Sequence, residues 1–518
     1  MEQTTVLSAL FKQAMSQIPN AENQLTLKEN QVVLGNVLKL FPNQKALIQV
    51  GQTSLIAQLE TAIEANENYW FTVKGSTDTG LQLKMMKKLH GETNNEMNTA
   101  KQLLSMFQIR ATKQNLAFIN QVMDENVPIT KKQIQASTDI LTVLPKDMTD
   151  DAIDAIVTAV KKDYPLTENI IKSILASQSS KPLVEQIESL LSELQHVKNK
   201  TAIQNILTNQ LKNVTQQQSE LLVKTIIELL NNPIEMKTIT TSEQQLITQI
   251  NTKLSKLDNN QVQQVLFDTI QFNLGEKHKN VTPHFFTFEE METIGKIATN
   301  ASLFTNKDEV IQLFKAIEAN IGLKDELLLW KKLSTGENID DLHSLKNNLI
   351  TVSGDTVPPL LKEQIDQLIL RLNGQPLLQN ENGPIQQFIT QIPLFMLNHQ
   401  TDLTIQWTGK KRADGKIDPD YCRIVFYLQL PKLNDIMIDV QNQNRIMSIT
   451  IKNDHPTLST LVNRASTDLK EALKTMNYHV SSIQVKPFVE TPMIDEQRVL
   501  KSGTKEYPFS YMGVDLKI

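Results

Sequence analysis

A chain of 518 residues exceeds what one hydrophobic core supports, so two to four domains are expected. With 40% hydrophobic and 21% charged residues it is a foldable chain, and 16 glycines and 19 prolines are too few for a collagen-like or loop-dominated sequence. The formal charge of −5 argues against a polyanion binder, and the single cysteine, Cys422, excludes an internal disulfide framework or a Cys-cluster zinc site. Asn and Gln are unusually abundant, roughly a sixth of the residues, and are spread through periodic segments as helix surface would be.

The first residues, Met1 to Val6, show neither the basic region nor the apolar run of a signal peptide, and residues 1–29 read as a helical or flexible segment. Between 30 and 90 the pattern is that of short strands. Gln31–Leu40, Lys45–Val50, Thr53–Gln58, Tyr69–Lys74 and Leu81–Met85 are separated by turns at Pro42-Asn43, Gly51-Gln52 and Gly75 to Gly80. Five short strands suit a small closed barrel, with Gly35 at a bulge that bends the first strand.

From 92 to 380 the period becomes helical. Thr112/Leu116, Thr130/Ile134, Thr149/Ile153 and Thr167/Ile171 repeat a Thr followed four residues later by Leu or Ile, at intervals of one short helix plus a turn. Pro128-Ile-Thr130 and Pro165-Leu-Thr167 match most closely, the proline ending the preceding helix. Ser242-to-Gln245 and Thr287-to-Glu290 have capping-box spacing, and Lys181 to Asn231 offers two long amphipathic helices. Asn373-Gly374 and Asn382-Gly383-Pro384 then interrupt the helical pattern and mark a boundary.

Residues 385–518 alternate again. Asp402–Thr408, Tyr421–Leu430, Ile436–Val440 and Arg445–Ile451 read as strands, Pro456 to about Met476 as a helix, and Tyr478–Val485 as a last strand. That order makes a compact α+β domain with the helix on one face of a mostly antiparallel sheet. The fold class is therefore multidomain α+β: a small N-terminal β-barrel, an all-α middle region and a C-terminal α+β domain. Along Tyr421–Leu430 the set Cys422, Ile424, Phe426, Leu428 and Leu430 is the more apolar and is expected under the helix, with Tyr427 on the accessible face.

Chemistry is sparse. His399, His455 and His479 lack metal-ligand partners at helical or hairpin spacing. Asp414, Asp418 and Asp420 do not match a calcium loop, Gly409-Lys410 lacks the rest of a phosphate loop, and Cys422 has no evident His partner. No catalytic residue, cofactor or metal ligand is expected, and no stretch approaches the roughly 20 apolar residues that span a bilayer. The consecutive Tyr69, Trp70 and Phe71 beside Lys84, Lys87 and Lys88 offer an alternative reading, single-stranded nucleic-acid binding through the barrel. Alternation of strand faces and the acidic charge weigh against it.

Tyr421–Leu433, Ile436–Val440 and Asn444–Ile449, followed by a helix with Leu458, Leu461, Leu469 and Leu473 and the strand Val480–Val485, resemble the C-terminal domain of the flagellar hook-length control proteins. The resemblance covers about 100 residues. The Thr-capped repeats look like those upstream of this domain in some Gram-positive members. The chain departs from the family in having Asn434 where glycine is frequent, and in lacking a long Pro- or Ser-rich ruler segment. The resemblance implies a non-enzymatic protein-interaction role in type III export, with the cytoplasmic domain of an export-gate switch protein as partner. Tyr427, Leu430, Pro431, Leu433 and Arg445 are the candidate contacts. The expected location is the cytoplasm, with export through a flagellar-type apparatus left open.

Overall fold

The computed structural model describes residues 27–488, apart from 78–79, 90–95, 146–147, 180, 199, 232–239, 274–284, 301–306, 324, 336–343, 355–356, 380–384, 397–398 and 431–432. Almost all of the expected N-terminal segment, and the Asn382-Gly383-Pro384 interruption, lie outside the described residues.

Alternating Val33, Val37, Ala46, Ile48, Phe71 and Leu83 point to one interior, and this closes the first five strands on themselves. They are β1 (Gln31–Phe41), β2 (Lys45–Val50), β3 (Thr53–Leu59), β4 (Asn68–Thr77) and β5 (Gly80–Lys88). β1 pairs with both β2 and β4, and the β2–β3, β3–β5 and β5–β4 pairings complete the ring. Gly51 turns the β2–β3 hairpin at φ +61°. Gly35 is not at a bulge: the β1–β2 register shifts between Val37 and Lys39. A Cβ at Gly35 would lie 2.7 Å from Ile48, so the glycine is there for close packing of the interior.

Five short helices follow, three of them capped by threonines of the repeat. They are α1 (Glu96–Met106), α2 (Lys113–Asp124), α3 (Lys131–Val143), α4 (Thr149–Lys161) and α5 (Glu168–Ser177), with a two-residue strand β6 (Ile129–Thr130) pairing back to β1. Thr112, Thr130 and Thr167 are N-caps accepting from Asn115, Gln133 and Ile170 amides, and Thr130 with Gln133 completes a capping box. Thr149 departs from the pattern. It is the first helical residue, and its hydroxyl accepts from Gln114 Nε2 at 3.0 Å. Ile134, Ile153 and Ile171 are buried beneath these helix starts.

The next helices are α6 (Leu183–His196), α7 (Ala202–Asn231), α8 (Thr241–Leu254), α9 (Asn259–Asn273), α10 (Phe288–Asn300), α11 (Lys307–Ile321), α12 (Asp325–Thr335), α13 (Leu345–Ser353) and α14 (Pro359–Leu378). The cap of α8 is Thr240 with Glu243, two residues before the expected Ser242. Thr287 and Glu290 exchange bonds as expected at the start of α10. Asn373-Gly374 does not interrupt α14. A Cβ at Gly374 would collide with the Ser173 carbonyl, so this glycine lets α14 cross α5 at backbone contact.

The last region is a six-stranded sheet in the order β12-β11-β10-β9-β8-β7. Its strands are β7 (Ile385–Met396), β8 (His399–Lys411), β9 (Ile417–Leu430), β10 (Asn434–Gln443), β11 (Ile446–Lys452) and β12 (His479–Lys486), and α15 (Leu458–Thr475) links the last two. All pairs are antiparallel except β11–β12. β7 is the addition to the expected set, and Pro393 is tolerated there because β7 is an edge strand. The molecule is thus a multidomain α+β protein: a closed five-stranded barrel, a helical middle and a C-terminal sheet domain.

The cores join these parts. Val32 and Trp70 on the outside of the barrel share one cluster with Phe118, Ile134, Ile156 and, from β7, Ile389. Ile392 and Leu394 of β7 share a second with Ile187 and Leu190 of α6 and with Leu368 and Leu372 of α14.

Candidate docking surface of the C-terminal sheet

The pairing of β9 with β10 places Ile424 opposite Val440, Phe426 opposite Ile438 and Leu428 opposite Ile436, all on one side of the sheet. On the neighbouring strands Trp407 pairs with Ile424, and Ile451 with Ile438, so both extend this apolar face. Ile436 and Ile449 within it are buried, but Ile424, Phe426, Leu428, Ile438 and Val440 are half-buried and Trp407 is 38% exposed. The reason is where α15 lies: it packs chiefly on β12, at the sheet edge.

The opposite face holds Arg423, Val425, Tyr427, Met437 and Asp439. Val425, Tyr427 and Met437 form a buried cluster against which Phe488 packs. Arg423 donates from Nε and Nη2 to the two oxygens of Asp439, both at 2.8 Å, a bidentate pair across the strands. Burial, with the Asp439 charge adding to it and Arg423 opposing it, pushes the Tyr427 phenol up to about 12.

The expected assignment of the two faces is therefore reversed. Tyr427 is 4% exposed and belongs to the buried cluster, whereas Phe426 lies on the half-open apolar face. Alternation shows which residues share a face, but what packs against each face, here Phe488 on the Tyr427 side, decides which one is closed. The other candidate contacts are not gathered into one site. Leu430 and Leu433 are half-buried at the β9–β10 turn, and Pro431 between them lies outside the described residues. Arg445 sits at the other end of β10, exposed, with Nε 3.2 Å from Asp420 Oδ1 and its guanidinium 5.8 Å from the Tyr478 ring centre. Asn434 has φ +54°, a conformation glycine adopts without cost and asparagine tolerates, so its turn is kept. Sequence reasoning missed Trp407, although its alternation with Leu403 and Ile405 was visible.

Among the described residues no group of three or more His, Cys, Asp or Glu could hold a metal ion. Cys422 is half-buried with Sγ 3.4 Å from the Pro419 carbonyl, and burial raises its thiol pKa, against a nucleophilic thiolate. No described helix is long and apolar enough to cross a membrane. In the barrel, Tyr69, Trp70 and Phe71 are 2%, 3% and 0% exposed, so none is available as a stacking platform. The outward residues of β2 and β3, Lys45, Leu47, Gln49, Ser54, Ile56 and Gln58, include no aromatic ring.

The fold and this surface define a multidomain α+β protein with a half-open apolar face in its C-terminal sheet. The chain is similar to an uncharacterized protein of Bacillus subtilis (strain 168), YlqG, at 24% identity over an alignment of 547 positions, gaps included, that covers 94% of each chain. No protein-family model matches the chain, and no solved structure matches it.

Proposed function

We propose that the chain is a non-enzymatic docking protein that uses its C-terminal sheet to bind a cytoplasmic component of a flagellar-type export apparatus. The cytoplasmic domain of an export-gate switch protein is the partner that the hook-length-control resemblance implies. The observation that carries the docking reading is the half-open apolar face built on Ile424, Phe426 and Ile438, with Trp407 at its margin. Apolar centres with an aromatic anchor are what interface cores require, and tryptophan is among the residues that dominate binding energy. Leu430 shares this face and remains a candidate contact; buried Tyr427 acts through the fold instead.

The test is a calorimetric titration of the full-length protein with the purified cytoplasmic domain of the export-gate switch protein from the same organism. Binding is expected, with Trp407→Ala and Phe426→Ser each weakening it about tenfold or more, as truncated interface anchors do. Absence of binding by the wild-type chain would overturn the partner. Unchanged affinity in both variants would overturn the surface.

A further inference from the structure

The half-open face of the C-terminal sheet ends in a basic hairpin tip. Along β8 the pair Gly409–Cys422 follows Trp407–Ile424 on the same side of the sheet. A Cβ at Gly409 would lie 2.5 Å from Ile417, so Ile417 covers the glycine there and carries the apolar face to the base of the β8–β9 tip. Beyond it stand Lys410, Lys411, Arg412 and Lys416, all exposed, with Asp414 and Asp418 among them. Both carboxylates are engaged within the tip: Asp414 Oδ1 accepts from the Lys416 amide at 3.0 Å, and Asp418 Oδ1 lies 3.4 Å from Arg412 Nε. Asp420, next along, is held by Arg445. Lys410 and Lys416 form no ion pair among the described residues. At roughly 3.3 Å per residue Lys410 stands about 10 Å from Trp407 along the strand, within reach of one short segment. A chain of formal charge −5 thus concentrates positive charge at one end of its half-open apolar face.

We propose that the occupant of this face is an acidic segment of a partner protein, with an apolar run over Ile424, Phe426 and Ile438 and Asp or Glu residues against Lys410 and Lys416. This occupant presupposes the docking reading above and adds the chemistry of the partner. Charge complementarity selects the sign: a basic segment would meet uncompensated lysines, and like charges across an interface cost affinity. It also sets a direction, because the acidic end of the segment must lie at the Trp407 end of the face. A nucleic-acid strand fits less well. The floor is mostly aliphatic, with Ile424, Leu428, Ile438 and Val440, where single-strand binders present successive aromatic platforms. Asp414 and Asp418 within the tip would also repel phosphates. Lysines at the rim act chiefly on encounter, so salt should slow association while the apolar centre sets the lifetime of the complex.

A random peptide library displayed on phage and panned against the immobilised full-length protein tests it, the enriched sequences then being measured as labelled synthetic peptides. The expected winners place Asp or Glu beside a run of Leu, Ile or Phe. Lys410→Glu with Lys416→Glu should weaken them about tenfold and flatten their dependence on salt. The melting temperature should not change, because both positions are exposed. Trp407→Ala should weaken the same peptides. Apolar winners without acidic residues that still need Trp407 would keep the docking face and overturn its acidic occupant. Acidic winners indifferent to the lysine reversal, or a single-stranded oligonucleotide that displaces them, would overturn that occupant too. Absence of any peptide that needs Trp407 would overturn the docking face itself, and with it this proposal.

Discussion

Val425 and Tyr427 occupy the closed face of β9, and Ile424 and Phe426 the half-open one. Two neighbouring aromatic residues therefore have opposite roles. Tyr427→Ala removes a ring from the cluster with Met437 and Phe488 and is expected to cost about 3–5 kcal/mol, as deletion of a large core side chain does. Phe426→Ala removes a ring that the fold covers only in part, and is expected to cost about half as much or less. Paired thermal melts of the two variants check the assignment; a Phe426 variant less stable than the Tyr427 variant would mean that the helix covers the apolar face in solution. Gly374 teaches a related lesson at the same scale. From sequence it reads as a helix breaker, whereas in the folded chain it is the contact point between α14 and α5. Glycine reports a backbone requirement without saying whether that requirement is a turn or a close approach.

Elements with regular period and capping chemistry were legible. The five barrel strands, the threonine-started helices and the strands β8 to β12 follow from alternation, helical spacing and hydroxyl caps, each of which is a local property. β7 was not, because Gln386, Gln387 and Gln391 put polar residues at buried positions and Pro393 breaks the strand pattern. What makes those polar positions tolerable is a tertiary network. Arg371 of α14, 1% exposed, donates from Nη2 to Gln391 Oε1 at 3.0 Å and to Asp402 Oδ2 at 3.3 Å, and from Nη1 to the Lys181 carbonyl. Asp402 of β8 also accepts from the Leu183 and Val184 amides, capping the N-terminus of α6 from a distant strand. Burial pushes the Asp402 carboxyl up, and the Arg371 charge with the two amides works against it. Asp402→Ala leaves a buried guanidinium without its counter-charge and is expected to destabilise the chain by about 3–5 kcal/mol. Arg371→Met together with Asp402→Ala should cost clearly less than the sum of the two single changes, since the orphaned charge is gone. Additive losses in denaturant titrations of the four proteins would contradict this coupling.

At the scale of the whole molecule, the change from helix to strand between Leu378 and Ile385 was readable as a change of period, but packing runs across it. Ile389 of β7 completes the cluster shared with the early helices, and Ile392 and Leu394 complete the cluster of α6, α7 and α14. The Arg371–Asp402 network crosses the same junction. Long-range packing of this kind leaves no mark on local periodicity, so the sequence shows the junction as a boundary. Residues 385–518 on their own would expose these three side chains, each worth about 1.5–3 kcal/mol when buried, and the sum is comparable with the whole stability of a typical domain. Residues 181–518 keep α6, α7 and α14 around Ile392 and Leu394 and retain both partners of the buried ion pair. The longer piece is therefore expected to melt cooperatively, and the shorter one to unfold without a sharp transition or to aggregate. Calorimetric scans of both pieces beside the full chain decide the point. A cooperative melt of 385–518 at the temperature of the full chain would show that the C-terminal sheet is independent of the helices that flank its first hairpin.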